Sequence, residues 1–168
     1  VILLSGLVMV GSFEWVREPA RRPWIAENYM YSNGMTVRQE ARANTGGVAE
    51  VSGWLALLRA HERGAAPLTG PVSDDLSGGS LIFAQQCATC HGLGSPRMDV
   101  IPRVRRLTRD GLAAQLRGEG KRLDYMPPFA GSAQDRAELI DFLTSRANSA
   151  ASARSDRAAA ANPSPEAK

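Results

Sequence analysis

Two cysteines three residues apart, with a histidine directly after the second, constrain this chain more than any other feature: Cys87-Ala88-Thr89-Cys90-His91. They are the only two cysteines in 168 residues. That excludes a disulfide-dense scaffold and leaves no second pair to complete a four-cysteine zinc site. Two thiols at this spacing, at the end of a helix, can each add across one of the two vinyl groups of a haem. The next residue, His91, then swings beneath the ring to meet the iron. Two rival readings remain open. A thioredoxin-like redox pair needs a strand–helix context, and half a zinc site needs two further ligands, for which only the distant His61 is left. His61 itself sits among Arg59, Glu62 and Arg63, the composition of a solvated helix end.

A haem bound through His91 either takes a sixth ligand from the chain or leaves that position open, and thioethers are the candidates. Met98 follows His91 by 98 − 91 = 7 residues and stays on the same side of the ring. Met126 follows by 126 − 91 = 35 residues, in Met126-Pro127-Pro128-Phe129-Ala130-Gly131, enough chain to cross to the opposite face. The prolines stiffen that loop, so Met126 is the expected sixth ligand. Around it the sequence predicts short helices. One is Leu81–Gln86 with Ser77 or Ser80 as N-cap, and another follows Thr108 and is stopped by Gly118. A third starts at Ser132 with Asp135 as its capping-box partner and carries Ala133, Ala137, Ile140 and Phe142/Leu143 on one face through Arg146. Arg103, Arg105, Arg106 and Arg109 precede or open the middle helix; they read as a solvated basic patch, with one of them placed to neutralise a haem propionate or dock an acidic partner as the sharper alternative.

Outside this region the chain divides by composition. Residues 1–13 are apolar, and at about 1.5 Å per residue they cover roughly 20 Å, short of a full hydrocarbon core; they read as the end of a transmembrane helix. Residues 14–63 form an interfacial segment, with Trp15, Trp24, Tyr29 and Tyr31 among arginines and with Pro19 and Pro23 breaking any long helix. Within it Val48, Val51, Trp54, Leu55 and Leu58 fit one face of a short helix. Residues 64–75, rich in Gly and Pro, read as a linker and a domain boundary, 76–148 as the haem domain, and 149–168, an Ala/Ser/Pro run with nothing to bury, as a disordered tail. The net charge of +3 gives no support to nucleic-acid binding.

Residues 76–148 resemble class I c-type cytochromes: Cys87-Ala88-Thr89-Cys90-His91 matches the family's attachment motif, and Met126-Pro127-Pro128-Phe129-Ala130-Gly131 looks like its axial-ligand loop. The resemblance implies an all-α fold, a small three- to four-helix domain around one covalent haem c with His91 and Met126 as iron ligands. It implies one-electron transfer without a small-molecule substrate. The sequence departs from the family in lacking a proline soon after the motif to support the histidine, since Pro96 and Pro102 are only loosely placed. A second resemblance, carried by Glu14–Trp24 and Tyr29–Gly34, is to the stretch after the last membrane helix of subunit I in cytochrome bd-like quinol oxidase relatives. It implies a membrane-bound respiratory partner upstream, with the haem domain on the periplasmic or exoplasmic side. Arg17, Arg21 and Arg22 point the other way, since basic flanks favour the cytoplasm. The function alternatives are a five-coordinate haem sensor or peroxidase-like domain, and a haem-free dithiol or metal module.

Overall fold

The computed structural model describes residues 1–20, 23–65, 76–96, 98–119 and 126–161. Among them the chain forms seven α-helices and one small hairpin. The first helix, α1 (Ile2–Ala20), runs through the apolar stretch and past Glu14 and Pro19. Apolar side chains along it stand exposed: Leu3, Leu7, Val10 and Phe13 are 81%, 65%, 61% and 68% exposed. No helix among the described residues is long and apolar enough to cross a membrane.

The segment after it packs against the residues from 76 onward. Strands β1 (Met30–Ser32) and β2 (Met35–Thr36) pair antiparallel around Asn33 and Gly34, both at positive φ (46° and 85°). That is the backbone a two-residue hairpin turn demands and the reason Asn-Gly favours it. Helix α2 (Val37–Gly46) starts at once, its first turn closed by a capping box between Thr36 and Gln39. Gly47, at φ 92°, turns the chain into a 3-10 turn over Val48–Glu50 and then α3 (Gly53–Glu62). The single helical face expected over 48–58 is therefore split: Val48, Leu55 and Leu58 are buried, whereas Trp54 is 74% exposed on the outer side.

Helix α4 (Gly78–Gln86) begins at a Ser77/Ser80 capping box and ends at Cys87. The four-residue α5 (Ile101–Val104) and α6 (Arg109–Arg117) follow; α6 is capped by Thr108 and terminated by Gly118 in the left-handed conformation. The last helix, α7, spans Ala133–Ala161. Residues 149–161, expected to lack structure, continue this helix, since an alanine-rich run extends an existing helix at little cost. Residues 162–168 lie outside the described residues.

Helices α4 and α7 cross at very short range. A Cβ at Gly79 would lie 2.3 Å from the Glu138 carbonyl oxygen and 2.6 Å from the Phe142 Cβ, so only glycine fits. Four residues further along, Phe83 meets Phe142 with ring centroids 5.9 Å apart. The core draws on both sides of the expected boundary: Val48 and Leu55 pack with Ile82, Leu116, Leu139 and Leu143 in one cluster. Residues 66–75, most of the expected linker, lie outside the described residues. The chain on either side shares one core all the same, and the boundary at 64–75 does not separate two packing units.

A buried ion pair ties the two parts together. Arg59 of α3 donates to Asp135 (2.6 Å) and to Glu138 (3.0 and 3.1 Å) on α7. Asp135, with no exposed surface, also accepts from the Val48 amide (2.9 Å), the Ser132 amide (2.8 Å) and the Ser132 hydroxyl (2.6 Å). Burial alone would raise its carboxyl, but hydrogen bonds from Ser132, Val48 and Arg59 together outweigh that and hold it below the usual carboxylate range.

Candidate functional site

The cysteine–histidine motif is wound as a tight turn off the end of α4. The amides of Cys87 and Ala88 donate to the Phe83 carbonyl (2.8 and 2.9 Å), and those of Cys90 and His91 to the Cys87 carbonyl (3.0 and 2.8 Å). This brings Cys87, Cys90 and His91 to the wall of one cavity of about 540 Å³. Both cysteines are free and half-buried. Burial, with Cys90 adjacent, pushes the Cys87 thiol up to about 12, a protonated thiol unlike the depressed one a dithiol redox pair uses.

His91 Nδ1 lies 3.3 Å from the carbonyl oxygen of Met98. A carbonyl can only accept, so Nδ1 carries the proton and Nε2 keeps its lone pair for a metal. The carbonyl is presented by a closed loop. Gly92 and Asp99 form a parallel bridge, the Asp99 carboxylate accepts from the amides of Gly94 (2.9 Å) and Ile101 (3.0 Å), and Met98 sits at φ 46°, rare for a side-chain-bearing residue. The support that the missing proline left in question thus comes from Met98. Burial holds His91 below the ordinary imidazole range, the Met98 carbonyl opposes that, and Arg103 adds to it. The neutral, ligating form is favoured.

Met126, with Pro127, Pro128 and Phe129, also borders this cavity. The loop cannot donate from its proline nitrogens, and five of its other backbone groups are met by four separate elements. The Phe129 amide donates to the Leu116 carbonyl (2.8 Å). Gln86 brackets Ala130, donating to its carbonyl (2.6 Å) and accepting from its amide (3.2 Å). The Gly131 amide donates to Asn44 (2.8 Å) and the Tyr31 hydroxyl to the Pro128 carbonyl (2.8 Å). Residues 120–125, just before Met126, lie outside the described residues.

Sequence reasoning missed the third side. Tyr31, Asn33, Met35, Gln39 and Val51 line the same cavity, so the hairpin is a wall of the site and Met35 is a further thioether on it. The available signal was Asn33-Gly34, a strong local mark of a hairpin. Of the arginine cluster, Arg103 borders the cavity, whereas Arg109 pairs with Asp141 on α7. His61 is exposed and does not line the cavity. Among the described residues no group of three or more His, Cys, Asp or Glu side chains could hold a metal ion.

The residues present fit a haem. Two thiols and an imidazole converge on a space of ligand-pocket size, thioethers border it, and Val51, Leu116, Pro127 and Phe129 supply apolar walls. Residues 74–143 match the family model described as "Cytochrome C oxidase, cbb3-type, subunit III". The match supports a class I c-type cytochrome domain over that stretch, with haem c as cofactor, electron transfer as function and redox proteins as partners. It does not extend to residues 14–34, on which the resemblance to bd-like oxidases rests. Comparison with curated proteins and with solved structures returned no match.

Proposed function

We propose that this chain carries one haem c, bound through thioethers to Cys87 and Cys90 and ligated by His91 and Met126, and that it passes single electrons between redox proteins at a membrane. The observation that carries the reading is the meeting of Cys87, Cys90, His91 and Met126 on one cavity. When bound, the haem supplies one-electron iron chemistry. The chain's residues fix the conditions for it. Cys87 and Cys90 would hold the haem, and the Met98 carbonyl, by taking the His91 Nδ1 proton in a hydrogen bond, leaves Nε2 as the nitrogen that would ligate. Gln86, Asn44 and Tyr31 hold the Met126 loop, so little rearrangement accompanies a change of charge at the iron. A soft thioether from Met126 would favour the lower oxidation state and a higher potential, and Met126 together with His91 would keep small ligands off the metal. The oxidised holoprotein is expected to show the near-infrared Met-to-iron charge-transfer band, and the reduced protein to leave its spectrum unchanged under carbon monoxide. A spectrum that shifts with carbon monoxide, with no band, would replace the carrier by a five-coordinate sensor or peroxidase-like domain.

The membrane part of the reading rests on α1. A wide apolar surface on a helix seeks a core or a lipid phase, and the apolar side chains of residues 2–13 stand exposed ahead of the charged turn at Glu14 and Arg17. We place it in the membrane, as part of a larger respiratory oxidoreductase. The full chain is expected to float with neutral lipid vesicles in a density gradient, and a chain lacking residues 1–13 to stay at the bottom. Equal behaviour of the two would remove α1 as the anchor.

A further inference from the structure

The hairpin lies outside residues 74–143, yet its tip carries the least satisfied polar groups of the cavity. The buried side-chain atoms Ser32 Oγ and Asn33 Oδ1 have no hydrogen-bond partner, and neither has Gln85 Oε1. All three residues line the same cavity. Of the five such atoms among the described residues, the other two are arginine nitrogens, of Arg59 and Arg136, neither of which lines it. The partnerless oxygens therefore concentrate where the cofactor would lie. A hydroxyl can donate, and an amide turned end for end offers two N–H donors in place of its oxygen. Arg103 adds a cation to the wall, and among the described residues no Asp or Glu side chain lines it. One hydroxyl, two amides and a guanidinium, with no carboxylate among the described lining residues, suit an anionic acceptor, above all a carboxylate.

We infer that Ser32 and Asn33, with Gln85 and Arg103, receive a haem propionate, so that the hairpin completes a cofactor site whose covalent half lies at residues 87–91. This rests on the haem reading above. The hairpin tip is held in place independently of any ligand. The Tyr31 hydroxyl bonds to the Pro128 carbonyl (2.8 Å) and the Val37 amide to the Tyr29 carbonyl (3.0 Å), which ties the turn to the Met126 loop on one side and to α2 on the other.

The test compares two porphyrins that differ only in the group inferred to be recognised. The full-length apoprotein, its thiols kept reduced, is titrated with haemin and with haemin dimethyl ester, followed by the Soret band. The acid is expected to bind about tenfold more tightly than the ester, the scale of one charge-assisted hydrogen bond. In the variant Ser32→Ala with Asn33→Gly, which keeps a residue tolerant of φ 46° in the turn, that preference is expected to fall to about one while the affinity for the ester stays the same. Should the double variant not fold by circular dichroism, Arg103→Gln at the exposed cavity edge serves in its place and is also expected to shrink the preference. Binding of both porphyrins with the same preference in wild type and variants would overturn the inference and leave the haem reading intact. Binding of neither would overturn both.

Discussion

Met126→Ala is expected to abolish the near-infrared Met-to-iron band, lower the midpoint potential and let carbon monoxide reach the reduced haem. The fall should be on the order of 0.1–0.3 V, a fraction of the roughly 0.8 V that axial ligands span. The physical reason is that alanine offers no lone pair, while the loop around it stays in place: its carbonyls and amides remain bonded to Leu116, Gln86, Asn44 and Tyr31. The sixth position is left open and water or a small ligand enters. Met35→Ala is the control, because Met35 lines the same cavity from the hairpin side and is buried. It should leave band and carbon monoxide response unchanged. If Met35→Ala removes the band and Met126→Ala does not, the ligand is Met35 and the role of the 126–131 loop is structural.

The second large effect concerns stability. Asp135→Ala is expected to destabilise the fold by about 3–5 kcal/mol at pH 7, the range for removing one partner of a buried ion pair, out of the roughly 5–15 kcal/mol a domain has. Four groups lose their acceptor together: the Val48 amide, the Ser132 amide and hydroxyl, and one bond of Arg59. Glu138 still holds the guanidinium, which keeps the loss from being larger. The pH dependence follows from the direction of the shift. Asp135 lies below the ordinary carboxylate value in the folded chain, so its charged form stabilises the fold at every pH above about 4, its value when unfolded. That contribution is lost as pH falls through the depressed folded value. Denaturant unfolding of wild type and variant should show a wide gap at pH 7 that narrows as the medium is acidified below about pH 4. A gap under about 1 kcal/mol at pH 7, or one that widens with acid, would contradict the role given to Asp135.

How much of this was legible in the sequence depends on the range over which each feature is encoded. The cysteine–histidine motif is five consecutive residues, and its chemistry is written in their spacing. The caps of α4, α6 and α7 are equally local: Ser77, Thr108 and Ser132 each sit within three residues of the groups they satisfy. Met126 was legible as part of a stiff proline loop, but what pins the loop was not, because Gln86, Asn44 and Tyr31 lie 44, 87 and 97 residues from the backbone groups they hold. The same holds for Arg59, 76 residues from Asp135. No local pattern marks such pairs.

Two misreadings have different causes. Reading residues 14–63 as one interfacial segment on their aromatic and basic composition passed over the Asn33–Gly34 turn, so the hairpin that lines the cavity went unseen. Here the local signal was present, and composition overrode it. The run after Ser149 was expected to lack structure because it has nothing to bury. It continues α7 to Ala161 because an established helix needs no new nucleus and alanine extends it readily.

The most direct measurement is acid–acetone extraction of the purified holoprotein, followed by a pyridine haemochrome spectrum of both phases and a free-thiol titration of the polypeptide. The expected result is haem that stays with the protein, a c-type haemochrome, and no reactive thiol at Cys87 or Cys90. Haem that leaves with the solvent while both thiols titrate would contradict the covalent attachment on which the electron-transfer function rests.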